Sequence, residues 1–208
     1  GLGNDWTVFE YEMKKRFESS NPEEYSLPVS IVIPVYNRKD KLRKTIAALT
    51  HQTYPLELME IIIADDGSSD HPEELIDEFS SYFSLNYIKQ EDKGYRLSEI
   101  RNKGIENSSN EQIIILDCDM LPLTTLVESY MKYAHVSTKT VLIGGRRYVN
   151  TDDISVENII QDVNCAISLP SLRTDTGQVP ENGLPPSEDW RYKIYRNTNN
   201  LKNSKYPF

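Results

Sequence analysis

Residues 29–35 read Val-Ser-Ile-Val-Ile-Pro-Val, an apolar run of strand length that contains a single hydroxyl side chain. A short run of this composition is typical of a strand buried on both faces of a parallel sheet. Leu42, Ile46 and Leu49 follow at helical spacing, and Asn37 is the expected cap of that helix. This stretch therefore predicts a strand followed directly by a helix.

The same alternation of a short apolar run and a helical period continues to about residue 145. Further strands are expected at Glu60–Ala64, Asn86–Lys89, Ile113–Leu116 and Val141–Ile143. Apolar residues three or four positions apart indicate helices between these strands. Strands that alternate with helices predict an α/β fold, in which a Rossmann-like, mostly parallel sheet is flanked by helices.

Three segments are expected along the chain. Residues 1–28 form an N-terminal extension with a short helix, on which Phe9, Met13 and Phe17 share one face. Residues 29–150 form the α/β core. Residues 151–208 are rich in proline and asparagine and are expected to be irregular.

Composition excludes several classes of protein. The formal net charge of −9 argues against broad attraction to nucleic acid or to anionic lipid. No apolar run is long enough to span a bilayer, and no signal peptide is recognised, so a cytoplasmic location is expected. The two cysteines, Cys118 and Cys165, have neither metal-binding nor disulfide-framework spacing, which favours a reducing compartment.

Polar residues follow three of the expected strands, at the sheet edge where parallel α/β proteins bind their ligands. Tyr36-Asn-Arg38 follows the first strand, Asp65-Asp66-Gly67-Ser68 follows the second, and Asp117-Cys118-Asp119 follows the fourth. Because these strand ends share one edge, their side chains are expected to form one site.

Asp117 and Asp119 are two carboxylates separated by one residue. Alternate residues at a strand end point to the same side, so both carboxylates can converge on one cation, and hard oxygen ligands suit Mg²⁺ or Mn²⁺. The alternative is a pair of solvated acids that cap the next helix. Asp65 and Asp66 have a similar pair of interpretations: a turn before a helix, or a carboxylate that accepts the imide N–H of uracil, with Tyr36 stacked on that base.

Taken in this order, these motifs resemble the family 2 glycosyltransferases of the GT-A fold. The resemblance is carried by residues 29–38, by Ala64-Asp-Asp-Gly-Ser68 and by Leu116-Asp-Cys-Asp-Met120. Asp92-Lys-Gly-Tyr-Arg-Leu-Ser-Glu-Ile-Arg-Asn-Lys-Gly104 is similar to a segment of bacterial chondroitin-polymerase-type and related N-acetylgalactosaminyltransferase-type enzymes. Asp189-Trp-Arg191 with Asn197-Thr-Asn-Asn-Leu201 is a weaker match, so the resemblance covers about residues 28–208.

The resemblance implies that residues 29–150 bind a nucleotide-sugar donor. The residues that it assigns to the donor are Pro34, Tyr36, Arg38, Asp66, Arg101 and Asp117. Among them, Arg101 would face the diphosphate or the sugar. Asp119 would bind Mn²⁺ (or Mg²⁺) directly, and Asp117 would contact the ribose or reach the metal through water.

In the resembled enzymes, a later region supplies the general base and a histidine that ligates the metal. No histidine here stands at the matching position, and the acceptor-side region that would follow residues 151–208 is not recognised. Asp189, next to Glu188, is a weak candidate for the base, because Trp190-Arg191 fits the linking motif better. The catalytic residue therefore stays unassigned.

The expected function is transfer of a sugar from a UDP-sugar to a glycan acceptor in polysaccharide synthesis, with inversion and with a bound metal ion. Peripheral association with a membrane-bound polysaccharide assembly, at the inner face of the membrane, belongs to this expectation. One alternative is a non-catalytic nucleotide-sugar-binding module or a truncated donor domain. Another is a haloacid-dehalogenase-like phosphatase, which also places two aspartates after a strand but has a different residue pattern behind them.

Overall fold

The structure is a computed structural model that describes residues 26–136, 141–142, 144 and 146–174, without the side chains of residues 135, 136, 173 and 174. These residues divide into two compact units. The larger unit contains the described residues of Ser20–Thr140 together with Ile154–Ile167. The smaller unit contains the described residues of Val141–Asp153 and Ser168–Phe208.

The larger unit is built on a four-stranded parallel sheet. Its strands are β1 (Val29–Val35), β2 (Met59–Asp65), β3 (Ser84–Lys89) and β4 (Gln112–Ile115). The strand order is β3-β2-β1-β4, so the chain steps outward from β1 to β3 and then returns to the other side of β1. A mostly parallel α/β sheet was the predicted fold class, and it is confirmed.

Helices connect and cover the strands. They are α1 (Lys39–Leu49), α2 (Leu75–Phe79), α3 (Leu97–Glu106), α4 (Leu126–Val136), α5 (Val156–Gln161) and α6 (Asn164–Ile167). Short 3₁₀ helices at Leu56–Leu58 and Pro72–Glu74 precede β2 and α2.

The two faces of the sheet are covered unequally. Alternate residues of β1, such as Ile31 and Ile33, pack in a large core with apolar residues of α1, α2, α4, α5 and α6. Val32 points to the other face, where it forms a smaller core with Ile62, Ala64 and Ile100 of α3. Every residue of β1 is buried, which explains why its sequence reads as a continuous apolar run.

Helix α3 lies close to the sheet because Gly104 faces β1. A Cβ atom placed on Gly104 would lie 2.3 Å from Cγ1 of Val32 and 3.5 Å from Cβ of Ala64. Only a residue without a side chain allows this separation, so Gly104 fixes the distance between α3 and the sheet.

The smaller unit contains an antiparallel pair of two-residue strands, β5 (Arg147–Tyr148) and β6 (Arg173–Thr174). The backbone N–H of Leu172 donates to the carbonyl of Tyr148 at 2.8 Å. The guanidinium group of Arg146 lies 5.6 Å from the ring centroid of Tyr148, within the range of a cation–π contact.

Two local predictions for residues 29–150 are wrong. Asn37 does not cap α1: it adopts a positive φ of 49°, Arg38 stands at the N-cap, and the Asn37 side chain accepts hydrogen bonds from Ser69 instead. Val141 and Leu142 are not in a strand, and Val141 is 89% exposed. In the described part of the chain neither residue is paired with a strand, so the apolar run alone did not produce one.

Residues 156–167 also differ from the expected irregular segment, since α5 and α6 lie there. Val156, Ile159, Val163 and Ala166 are buried against the core of the larger unit. Ser155 and Asn158 form a reciprocal capping box at the start of α5.

Some expectations fall outside the described residues. They are the helix of residues 1–28, the residue Ile143 and the motifs at residues 189–191 and 197–201. Among the helices that the structure does describe, none has both the length and the apolar character needed to cross a bilayer.

Candidate functional site

The candidate site lies at the carboxyl edge of the parallel sheet. Tyr36, Asp66, Gln90 and Asp117 each follow one of the four strands or stand within two residues of its end. The strand order reverses direction between β1 and β4, and ligands of open α/β sheets bind at such a switch point. The residues after β1 and β4 therefore flank the expected crevice.

Tyr36 presents its ring at the surface, beside the loop that follows β3. The residue is 46% exposed, and its hydroxyl donates to Oδ2 of Asp92 at 3.0 Å. Oδ1 of Asp92 accepts from the backbone N–H of Gly94 at 3.1 Å. The hydrogen bond to Asp92 and the charge of that carboxylate raise the pKa of Tyr36, so the hydroxyl stays a donor and holds the ring in place. Pro34 lies two residues earlier, inside β1 and buried.

Asp65 and Asp66 are adjacent but have different roles. Asp65 is fully buried: its Oδ1 accepts from the backbone N–H of Ser68 at 2.8 Å, and its Oδ2 accepts from the hydroxyl of Tyr87 at 2.6 Å. Burial and the neighbouring Asp65 carboxylate raise the pKa of Tyr87. Asp65 therefore stabilises the turn after β2, as the turn interpretation of the motif expects.

Asp66 is 4% exposed, and both of its oxygens accept hydrogen bonds from the segment that follows β3. Oδ1 accepts from Nε2 of Gln90 at 2.5 Å, and Oδ2 accepts from the backbone N–H of Arg96 at 3.0 Å. A carboxylate has about four lone-pair positions, so each oxygen retains capacity for one further donor. Asp66 is thus a fixed acceptor between the loops that follow β2 and β3.

Gly67 allows these two loops to touch. It adopts a φ of +93°, and a Cβ atom at this position would lie 2.6 Å from the backbone nitrogen of Asp92. A side chain here would meet both backbone strain and a direct clash with backbone atoms. The glycine thereby sets the separation of the two loops.

Asp117 and Asp119 lie after the end of β4, which stops at Ile115. Cys118 and Asp119 form a turn, with the backbone N–H of Met120 donating to the carbonyl of Asp117 at 3.1 Å. Strand alternation therefore does not set the directions of these two side chains. The expectation that both bind one metal ion stays a prediction.

Each of the two carboxylates is paired with an arginine. NH2 of Arg101 lies 2.6 Å from Oδ1 of Asp117, and NH1 of Arg38 lies 3.1 Å from Oδ2 of Asp119. The Asp117 and Asp119 side chains are 43% and 46% exposed, so both remain accessible from solvent. The Arg38–Asp119 pair spans the switch point, because Arg38 follows β1 and Asp119 follows β4.

Cys118 anchors the backbone between the two acids. Its side chain is buried in the main core, and burial raises the pKa of the thiol to about 11, so it is uncharged at neutral pH. Its carbonyl accepts a 2.8 Å hydrogen bond from the buried hydroxyl of Thr45 on α1. The core therefore fixes this turn while the acids on either side stay accessible.

The donor set of this turn fits a hard divalent cation. It offers two carboxylates with exposed oxygens, the chemistry that Mg²⁺ and Mn²⁺ prefer. Within residues 26–174, as far as they are described, no three Asp, Glu, His or Cys side chains are grouped as metal ligands. A cation here would therefore take its other ligands from the substrate, from water or from residues beyond the described part.

Gln90 and Lys103 are site residues that the sequence analysis missed. Gln90 directly follows β3, and it is buried against Asp66. Inspecting the end of every strand, rather than of three strands, would have identified it. Lys103 lies in the quoted segment of residues 92–104, but its contact with Gln90 depends on how α3 packs, which the sequence does not show.

Comparison with known proteins agrees with this architecture. A family model described as glycosyl transferase family 2 matches residues 30–196. Chondroitin synthase of Escherichia coli is 37% identical over 86% of the chain and 26% of its own length. Chondroitin synthase and hyaluronan synthase of Pasteurella multocida are 33% and 30% identical over 99% of the chain and 21% of their own lengths.

The chain spans about a quarter of the length of these relatives or less. The family match covers most of this chain, including every strand of the larger unit except the first residue of β1. The resemblance to the family 2 glycosyltransferases is confirmed. This chain therefore belongs to glycosyl transferase family 2.

Proposed function

We propose that this chain binds the donor of a glycosyltransferase that moves a sugar from a UDP-sugar to a glycan acceptor. The observation that carries the proposal is that four side chains lie at one edge of the sheet. They are the exposed ring of Tyr36, the buried acceptor Asp66, and Asp117 and Asp119, each paired with an arginine. Membership in glycosyl transferase family 2 supports the same activity. A phosphatase is not supported, because that fold family places its two aspartates after its first strand.

The nucleobase is assigned to the ends of β1 and β2. Tyr36 offers a ring face for stacking, and Asp66 accepts the imide N–H of uracil with a remaining lone pair. Pro34 contributes to the same wall from within β1. Uracil suits this arrangement because it presents an N–H donor to a carboxylate that only accepts.

The diphosphate is assigned to the arginines and the acid pair. The Arg101 side chain is 31% exposed, and in the part of the chain that the structure describes its Nε makes no hydrogen bond, so the guanidinium group has capacity for an anionic oxygen. Arg38 is 58% exposed and can approach the same group. Asp119, with Asp117, would hold Mn²⁺ or Mg²⁺, whose positive charge stabilises the departing diphosphate.

The chain's own contribution to transfer is therefore to bind and orient the donor. Inversion, the acceptor and the catalytic base belong to the proposal for the whole protein, since the chain spans about a quarter of the relatives' length or less. The role in polysaccharide synthesis is proposed from the chain's similarity to chondroitin synthases and a hyaluronan synthase. A cytoplasmic location and peripheral association with a membrane-bound assembly stay predictions.

Calorimetric titration of UDP into this chain, with and without Mn²⁺, tests the proposal. We expect binding that requires Mn²⁺ and that is lost in Asp119→Ala. Asp40→Ala is a matched control, because it removes an exposed carboxylate from the first turn of α1. Absence of UDP binding by the unmodified chain in both conditions would contradict the donor-binding function, and metal-independent binding would contradict the role of Asp119.

A further inference from the structure

Gln90 connects the acceptor Asp66 to a lysine on α3. Its amide Nε2 donates to Oδ1 of Asp66 at 2.5 Å, and its amide Oε1 accepts from Nζ of Lys103 at 2.9 Å. The Gln90 residue is 6% exposed, its contact with Asp66 is buried, and its contact with Lys103 is partly buried. Lys103 is also held by Glu99, one helical turn earlier, at 2.9 Å.

The chemistry of the two partners fixes the orientation of the Gln90 amide. An ammonium group can only donate, and an ionised carboxylate can only accept. Lys103 therefore requires the amide oxygen, and Asp66 requires the amide nitrogen. A reversed amide would lose both hydrogen bonds at once, in a buried position where unpaired polar groups cost the most.

The same contacts fix Asp66. One oxygen is held by Gln90 and the other by the backbone N–H of Arg96, the residue before α3. The direction of the lone pairs that remain on Asp66 therefore depends on Gln90, and the state of Gln90 depends on Lys103. These residues form a chain of hydrogen bonds that runs from α3 to the edge of β2.

We propose that Lys103 is a positioning residue that sets nucleobase preference, because it fixes the Gln90 amide and thereby the acceptor geometry of Asp66. The proposal rests on the function proposed above. Uracil presents an N–H at N3, whereas cytosine presents a lone pair there, which faces a carboxylate unfavourably. A firmly oriented Asp66 discriminates between these bases, and a loosened Asp66 discriminates less.

The test compares the Kd values of UDP and CDP, each with Mn²⁺, in the unmodified chain and in Lys103→Met. We expect the preference for UDP over CDP to fall about tenfold, the size of one weakened charge-assisted hydrogen bond. Lys103→Arg keeps a donor for Gln90 and should restore part of the preference. Lys132→Met is the matched control, because it breaks a comparable pair with Glu128 on α4 and should leave the preference unchanged.

A purely structural role of Lys103 predicts a lower melting temperature and equal weakening of UDP and CDP binding. An unchanged ratio of the two Kd values in Lys103→Met therefore overturns the proposal. If Lys103→Met does not fold, Gln90→Leu decides, since it leaves the pair of Lys103 with Glu99 in place. An unchanged UDP/CDP preference in Gln90→Leu is then the result that overturns it. If the unmodified chain binds no UDP, the proposed function fails first, and this inference fails with it.

Discussion

Gly67 and Gly94 form a matched pair in the two loops that border the candidate site. Both have positive φ, +93° and +84°, but their surroundings differ. A Cβ on Gly67 would clash with the backbone of Asp92, whereas a Cβ on Gly94 would have no atom within 4 Å. Substituting each glycine therefore distinguishes the cost of backbone strain from the cost of losing the contact between the loops.

We expect Gly94→Ala to destabilise the chain by ~1 kcal/mol, the cost of a left-handed conformation for a residue with a side chain. Gly67→Ala should cost a further ~1–3 kcal/mol, because backbone atoms of Asp92 must move. Urea unfolding of both variants measures the two free energies. Equal losses would show that the contact between the loops does not depend on the space left by Gly67.

Several site residues could be predicted one by one because strand ends are easy to find. Tyr36, Asp66 and Asp117 follow apolar runs that form parallel strands in the structure, and the rule for parallel sheets then places them at one edge. The pairing of Arg38 with Asp119 could not be predicted, since it joins residues 81 positions apart across the switch point. Sequence periodicity carries no information on such a contact.

At the scale of elements, burial explains which boundaries were predicted correctly. Strand β1 runs from Val29 to Val35 as expected, because both of its faces are covered and all its residues are apolar or small. Strand β4 starts and ends one residue earlier than expected, and its Ile113 and Ile115 are 36% and 47% exposed. An apolar run alone does not show that a strand lies at the edge of a sheet.

Helix α5 was missed although its signal is present in the sequence. Val156 and Ile159 lie three positions apart, as on one face of a helix, and both are buried. The helix has six residues, and its capping box uses Asn158 where glutamate or glutamine is usual, so each local signal is weak. The helix is stabilised chiefly by packing against the core, which a local reading of the sequence does not include.

The packing of α3 on β1 leads to a prediction for Gly104 and Val32. On an isolated helix, Gly104→Ala would stabilise by ~1 kcal/mol, because alanine has the higher helix propensity. Here the new methyl group would overlap Val32, so we expect a net destabilisation of ~1–3 kcal/mol. In the double variant with Val32→Ala, the total loss should be smaller than the sum of the two single losses, because the smaller side chain relieves the overlap.

Urea unfolding of the two single variants and the double variant gives the coupling energy between the positions. A favourable coupling of ~1 kcal/mol or more supports the close contact of α3 with the sheet. Additive losses would show that α3 can shift away from β1 without help from Val32.

Glu60 joins the strands at the opposite, amino-terminal edge of the sheet. Its carboxylate accepts from the hydroxyl of Ser30 at 2.5 Å, from Asn86 at 2.8 Å, and from the backbone N–H and hydroxyl of Ser109 at 2.9 and 2.8 Å. Burial by itself raises the pKa of Glu60, but these hydrogen bonds outweigh it and hold the pKa below its usual value of 4.5. The ionised form therefore stabilises the folded chain.

A lowered pKa in the folded state contributes stability above the unfolded pKa, and this contribution is lost as the pH falls through the folded value. We expect Glu60→Gln to be less stable than the unmodified chain at pH 7, and the difference to shrink below about pH 4.5. Urea unfolding at a series of pH values measures this. If the difference in the free energy of unfolding does not change with pH, the hydrogen bonds do not preferentially stabilise the ionised form of Glu60.

At the scale of the whole molecule, the net charge of −9 works against binding an anionic nucleotide. Arg38 and Arg101 do not offset this freely, because each is already paired with an acid of the candidate site. A divalent cation would neutralise those acids and leave the arginines to the diphosphate. The gain in thermal stability that the whole chain obtains from nucleotide binding should therefore depend on the metal ion.

We expect UDP with Mn²⁺ to raise the melting temperature by ~5–10 °C when UDP is present at about one hundred times its Kd. Ligand at that concentration stabilises the folded state by ~2.7 kcal/mol, and each kcal/mol raises the melting temperature of a chain of this size by ~2–4 °C. UDP in EDTA, and Mn²⁺ without UDP, should each produce a small shift by comparison, because neither alone satisfies both the acids and the arginines. A full shift in EDTA would show that Arg38 and Arg101 bind the diphosphate without a cation, so that the acid pair of Asp117 and Asp119 has another role.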